Sequence, residues 1–353
     1  MTESMGLMKG NEAMAEAALR AGCRAYFGYP ITPQNEIPDY MARRLPKRGG
    51  IFLQAESEVA AINMVYGAGG AGVRVMTSSS SPGISLMQEG LSYIACAEIP
   101  CVIINMVRSG PGLGGILPAQ GDYFQATKGG GHGDYKLLVL APSTVQEAVD
   151  ITYEAFDLAD KYRNPVMILG DGLLGQMMES VRLPKPVGYL EEKPWATTGC
   201  GYGEPRVINS LYIEGPIMEE RIRRIFRKYA QMEQDEVRWE EYLTEDAELL
   251  VAAYGSTARI AKTAVARARD KGMAIGLFRP ISLYPFPYGK LRELAGRLKG
   301  ILTVEMSMGQ MVEDIKLGVE GACPVSFYGR AGGMIPTPGE ILTQIEAMWS
   351  RLP

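Results

Sequence analysis

The stretch from Gln54 to Gly83 constrains this chain more than any other. An extended segment, Ile51 to Gln54, gives way to a small-residue helix predicted over Val59 to Gly67, then to a strand over Val73 to Thr77. A serine-rich turn, Ser78 to Gly83, leads into the next helix and carries hydroxyls and backbone N–H groups that can cradle an anion or a cofactor ring. Glu56 and Glu58 fall at the start of the small-residue helix. One account is plain capping: Ser57 or Glu56 caps, and Glu58 offsets the positive first turn for ~0.3–1 kcal/mol. The other follows from Ala60, Ala61, Gly67, Gly69, Gly70 and Gly72, which are too small to be chosen for apolar burial. Residues of that size let a second backbone or a ligand come close.

The same rhythm runs on either side. A helix is predicted over Lys9 to Ala21, ending at Gly22, and a strand over Ala25 to Tyr29. That strand enters Tyr29-Pro30-Ile31-Thr32-Pro33, whose prolines hold Thr32 in an extended corner at the carboxyl end of a strand, where open α/β sheets bind ligands. Alternatively Thr32 only caps a helix over Gln34 to Arg43. The apolar run Pro100 to Met106 reads as a strand buried on both faces, and it delivers Arg108 to a glycine-rich loop, Ser109 to Gly115. A cation beside such a loop suits an anionic ligand; an exposed surface arginine is the other reading. A polar loop over Pro118 to Tyr135 holds Lys128 and the single histidine, His132. Strands over Leu137 to Leu140 and Val166 to Leu169 flank a helix over Thr144 to Tyr162.

Residues 1–180 are therefore expected to form a doubly wound α/β domain. Five prolines between Pro184 and Pro216 break the rhythm, and residues 181–246 read as a connection carrying one long exposed helix, Met218 to Tyr242. A smaller α/β domain is expected over 247–353, with strands at Glu248 to Tyr254, Ala274 to Phe278 and Gly300 to Glu305, and helices at Ala258 to Asp270, capped by Thr257, and Tyr288 to Leu298.

A length of 353 residues accommodates two such domains. A formal charge of −4 argues against nucleic acid or an anionic membrane as the main partner, and no apolar run approaches the ~20 residues of a membrane span. Cys23, Cys96, Cys101, Cys200 and Cys323 are scattered and contain no Cys-x-x-Cys, which fits reduced thiols and excludes a self-contained zinc or iron–sulfur site. With no signal peptide visible over Met1 to Gly10, a cytoplasmic protein is expected.

Taken in order, the Tyr-Pro-Ile-Thr-Pro corner, the Glu-Ser-Glu helix start, the serine turn and Val107-Arg108-Ser-Gly-Pro resemble the α-type subunit of 2-oxoacid:ferredoxin oxidoreductases. The likeness is greatest to the branched-chain (3-methyl-2-oxobutanoate) group, then to the 2-oxoglutarate group. It covers nearly the whole chain, including Tyr254-Gly-Ser-Thr-Ala-Arg259 and Val304-Glu305-Met306 to Gln310-Met311. The resemblance implies a thiamine diphosphate pyrimidine-binding domain followed by a smaller domain like the transketolase C-terminal domain. It also implies that the diphosphate-binding domain sits on a separate β-type subunit. A γ-type subunit and an iron–sulfur ferredoxin-like subunit would complete the enzyme, with magnesium and 4Fe-4S clusters held only by partners. Coenzyme A, a 2-oxoacid and external ferredoxin would be the reactants.

In such sites a carboxylate bonded to the pyrimidine ring favours the imino tautomer that draws the proton from C2. By motif position Glu58 matches that catalytic carboxylate, Glu56 matches nothing, and Thr32 and Arg108 match residues touching substrate or cofactor. Ser81, Lys128 and His132 are further candidates. Gly170-Asp171-Gly172 resembles the start of the magnesium motif of thiamine enzymes, but lacks its asparagine and is read as a turn. A non-oxidative transketolase-like enzyme and a non-catalytic assembly subunit are the competing readings.

Overall fold

The computed structural model describes residues 4–201 and 203–351. In chain order the elements are β1 (Ser4–Lys9), α1 (Gly10–Arg20), β2 (Ala25–Gly28), α2 (Glu36–Arg44), β3 (Ile51–Gln54), α3 (Glu58–Gly70), β4 (Val75–Ser79), α4 (Ser81–Cys96), β5 (Cys101–Val107), α5 (Tyr123–Thr127), β6 (Leu138–Leu140), α6 (Val145–Tyr162), β7 (Pro165–Asp171), α7 (Gly172–Gln176) and β8 (Met178–Leu183). There follow α8 (Gly215–Asp235), β9 (Trp239–Tyr242), β10 (Leu249–Ala252), α9 (Gly255–Asp270), β11 (Ile275–Pro280), β12 (Ser282–Tyr284), α10 (Tyr288–Ala295), β13 (Gly300–Glu305), α11 (Met311–Val319), β14 (Val325–Gly329) and α12 (Pro338–Trp349).

The first sheet runs β12-β6-β7-β5-β4-β2-β3, and all its pairings are parallel except that of β12 with β6. Every residue of β5 is buried because helices cover both faces: α3 and α4 supply Ile62, Val65, Met87 and Leu91 on one side, α1 and α6 supply Met14, Ala18, Ala155 and Phe156 on the other. Small residues allow close approach here. A Cβ on Gly90 of α4 would fall 2.5 Å from Ile62 Cγ2 of α3, so glycine sets the spacing of the two helices. The second sheet, β14-β13-β10-β11-β9, is parallel apart from β9, with α9 and α12 on one face and α11 on the other.

Several local expectations change. β1 precedes the first helix and pairs antiparallel with β8, from Ser4 opposite Leu183 to Lys9 opposite Met178. The expected helix over Met218 to Tyr242 stops at Asp235, and Trp239–Tyr242 is instead a strand against β11. Nor is α8 wholly exposed: Ile225, Tyr229 and Met232 join the first core, and Arg221 and Arg224 bind the buried Glu98 carboxylate at 2.7 and 3.2 Å. α3 continues through Gly69 and Gly70, and the loop over Pro118 to Tyr135 contains α5. Thr257 lies inside α9 rather than capping it, and its hydroxyl donates to Gln120 Oε1 at 2.8 Å.

Gln120 ties the two sheets together. Its Oε1 also accepts from Met306 N at 2.9 Å, its Nε2 donates to Tyr254 O at 3.0 Å, and its own N–H donates to Met306 O at 2.8 Å. The loop after β5 is thereby fixed against the loop after β13, and a crevice opens between them.

Candidate functional site

Ser57 caps α3, its hydroxyl accepting from Ala60 N at 3.2 Å, so Glu58 is free of the capping role. Glu56 is exposed, whereas Glu58 is 6% exposed and its carboxylate makes no hydrogen bond or ion pair with any described residue. Offsetting a helix dipole does not require a side chain this enclosed. The group against it is Gly83, in the first turn of α4. A Cβ there would lie 2.5 Å from Glu58 Oε1 and 2.0 Å from Ser79 Oγ, so only glycine leaves that space. The hydroxyls of Ser79 and of the next residue, Ser80, are buried without partners among the described residues.

The same turn of α4 reaches Arg108. Ser81 Oγ accepts from Arg108 N at 3.1 Å and donates to Arg108 O at 3.3 Å. The guanidinium is held by two backbone carbonyls, Nη1 donating to Thr32 O and Nη2 to Leu113 O, each at 3.1 Å. Arg108 is 8% exposed, and its Nε–H has no partner among the described residues. Two of its five donors are used within the chain. The Thr32 hydroxyl accepts from Asn35 Nδ2 at 3.2 Å, and α2 begins beyond it at Glu36, so Thr32 is not its cap. Thr32, Ser81 and Arg108 thus meet at the carboxyl ends of β2, β4 and β5, with Gly83 joining them to Glu58.

The crevice between the two sheets encloses about 460 Å³ and is walled by Ser81, Pro82, Arg108, Asp122, Met306 and Met308. Asp122 was not foreseen from the sequence. Its carboxylate accepts from Asn105 Nδ2 at 3.0 Å, and burial raises its pKa against the hydrogen bonds from Asn105 and Ser81. A lone asparagine inside the apolar strand Cys101–Val107 was the available signal.

The other candidates lie apart. Lys128 Nζ pairs with the buried Asp314 Oδ1 at 2.5 Å, and Tyr123 and Tyr288 donate to the same carboxylate. His132 sits at the opposite end of α4, where its ring meets Tyr93 edge-on at 5.7 Å and its carbonyl accepts from Ser92 Oγ. Asp171 is the N-cap of α7 rather than a turn residue, accepting from Leu173 N at 2.8 Å and Leu174 N at 3.1 Å. Among the described residues no cluster of three or more His, Cys, Asp or Glu side chains could hold a metal ion.

Residues 16–247 match the family described as pyruvate flavodoxin/ferredoxin oxidoreductase, thiamine diphosphate-binding, and residues 247–341 match pyruvate:ferredoxin oxidoreductase core domain II. Ketoisovalerate oxidoreductase subunit VorB of Methanothermobacter thermautotrophicus is 50% identical over 96% of this chain and 96% of its own. The 2-oxoglutarate synthase subunit KorA of the same organism is 38% identical over 99% of this chain and 100% of its own. Among solved structures, 2-oxoglutarate:ferredoxin oxidoreductase from Magnetococcus marinus, with 2-oxoglutarate, coenzyme A and succinyl-CoA bound, superposes with a TM-score of 0.87 at 27% identity. The match covers 98% of this chain but 65% of that one. A split-gene transketolase at 14% identity and a TM-score of 0.58 shares the fold.

Proposed function

This chain belongs to the pyruvate flavodoxin/ferredoxin oxidoreductase family, and on that premise we propose that it is the α-type subunit of a branched-chain 2-oxoacid:ferredoxin oxidoreductase. With its partners it converts 3-methyl-2-oxobutanoate and coenzyme A to the acyl-CoA and carbon dioxide, and two electrons pass to ferredoxin. The observation that carries the reading is Glu58: a side chain only 6% exposed whose carboxylate has no partner among the described residues, beside a space that a Cβ at position 83 would fill. Those features fit the pyrimidine end of thiamine diphosphate. Glu58 would hold the ring nitrogen, and the Ser79 hydroxyl lies beside the same space. The bound cofactor would supply the electron sink for decarboxylation.

Arg108 would hold the substrate carboxylate, and the carbonyls of Thr32 and Leu113 fix the plane of its guanidinium in advance. Magnesium, the diphosphate site and the 4Fe-4S clusters are assigned to β-type, γ-type and ferredoxin-like partner subunits. Among the described residues no helix is long and apolar enough to cross a membrane, and a cytoplasmic location is part of the proposal.

The substrate assignment is tested on the assembled complex by following ferredoxin reduction with a panel of 2-oxoacids. The expected order places 3-methyl-2-oxobutanoate first in kcat/KM, by at least about tenfold over 2-oxoglutarate. A preference for 2-oxoglutarate would move the chain to the group of its 38% identical relative.

The same assay checks the fit around Glu58. Gly83→Ala must displace both the Ser79 hydroxyl and the Glu58 carboxylate, since its Cβ overlaps both. Turnover should fall at least about tenfold, as misplacing a catalytic group by an ångström does, while the circular dichroism spectrum is kept. Wild-type turnover in this variant would show that Glu58 does not act from its position beside Gly83.

A further inference from the structure

The crevice between the two sheets is nearly uncharged. Of the described residues that line it, Arg108 is the one cation and Asp122 the one anion. Pro82, Pro111, Ala119, Met306 and Met308 make much of the rest apolar. Once Arg108 takes one carboxylate, this wall holds no second cation for another.

Asp122 is fixed in place. Its Oδ2 accepts from Asn105 Nδ2 at 3.0 Å, and Asn105 is a fully buried residue of β5, so the carboxylate is anchored on the sheet and could swing away only by leaving that amide without its acceptor. The Ser81 hydroxyl also hydrogen-bonds to it, and both contacts favour the charged form against the burial that opposes it. No described residue forms an ion pair with it. Ser81 links the two charged residues, because the same hydroxyl lies 3.1 Å from Arg108 N.

We infer that Asp122 is a specificity residue: it repels the second carboxylate of a dicarboxylic 2-oxoacid and so reserves the crevice for 2-oxoacids with an uncharged side chain. The inference rests on the reading of Arg108 as the group that holds the carboxylate beside the keto carbon. With that end fixed, the isopropyl group of 3-methyl-2-oxobutanoate lies along the apolar wall. The far carboxylate of 2-oxoglutarate enters the same space and meets a fixed like charge with no cation beside it. Like charges in a partly desolvated cleft interact much more strongly than in water, and relieving them by proton uptake also weakens binding.

The test follows ferredoxin reduction by the assembled complex carrying wild type, Asp122→Asn or Asp122→Glu, with 3-methyl-2-oxobutanoate, 2-oxoglutarate and 2-oxopentanoate as substrates. The last has the carbon chain of 2-oxoglutarate without its second charge. Asp122→Asn should raise kcat/KM for 2-oxoglutarate relative to 3-methyl-2-oxobutanoate at least about tenfold, mainly through KM. The ratio for 2-oxopentanoate should stay within about twofold of wild type, and Asp122→Glu should keep the discrimination. Asp122→Ser, also uncharged, should act in the same direction as Asp122→Asn.

An unchanged 2-oxoglutarate ratio in folded, assembled Asp122→Asn overturns the inference and places the discrimination on a partner subunit. An equal rise for 2-oxopentanoate also overturns it, since the effect would then be one of room and not of charge. The order of the acids in the wild type tests a separate statement: a preference for 2-oxoglutarate there rejects the branched-chain reading, while the change of ratio on substitution still decides what Asp122 does.

Discussion

Glu58→Gln is expected to leave a folded chain that assembles with its partners and has lost at least about a hundredfold in 2-oxoacid turnover, the scale on which a buried charged group aimed at a reacting system acts. The substitution keeps the side chain's size, so the cleft beside Gly83 is still filled. What it removes is the charge. A neutral amide cannot stabilise the proton on a pyrimidine nitrogen as an anion does. No neighbouring group can take over, because no described residue hydrogen-bonds to the Glu58 carboxylate.

Glu56→Gln, two residues away and exposed, should change turnover less than about twofold, as surface substitutions away from a site usually do. Hydrogen–deuterium exchange at C2 of thiamine diphosphate in the assembled complex reads the step directly. An unchanged exchange rate in Glu58→Gln would reject the assignment and favour a non-catalytic assembly role.

The places of Glu58 and Arg108 after strands of the first sheet were legible because both depend on local order. Each follows a short strand and faces a run of small residues, and parallel pairing then places all such strand ends on one edge of the sheet. Features set by distant partners were not legible. β1 carries Met5 and Leu7 on an exposed face and becomes a strand only because β8 lies beside it. β9 reads Trp-Glu-Glu-Tyr, which continues the charged helical pattern before it, and it is extended because β11 offers an edge.

Lys128 looked available in a glycine-rich loop, yet its partner Asp314 is 186 residues away. Thr257 had the local pattern of a helix cap, and Gln120 from the first sheet gives it a different bond. The second wall of the crevice, Met306 and Met308, depends on how the two sheets dock, which no single segment encodes.

Arg108→Met is expected to lower kcat/KM for the preferred 2-oxoacid by about ten- to a hundredfold, corresponding to a charge-assisted hydrogen bond of ~1.5–3 kcal/mol. The geometry adds a complication that tests can separate. The guanidinium also donates to Thr32 O and Leu113 O, so methionine leaves two carbonyls without their donor and loosens the corner. If holding the corner were its whole role, thiamine diphosphate affinity and Tm would fall while KM for the 2-oxoacid stayed constant. A carboxylate contact predicts the opposite: KM rises, cofactor affinity changes little, and 2-oxoacid amides lose their disadvantage relative to the acids. Arg108→Lys should restore part of kcat/KM, because an ammonium supplies the charge without the planar fork that can meet a carboxylate and both carbonyls together. Wild-type kcat/KM in Arg108→Met would remove the substrate carboxylate from this side of the crevice. Lys128 could not readily replace it, since its charge is already bound to Asp314, so the cation would have to come from a partner subunit.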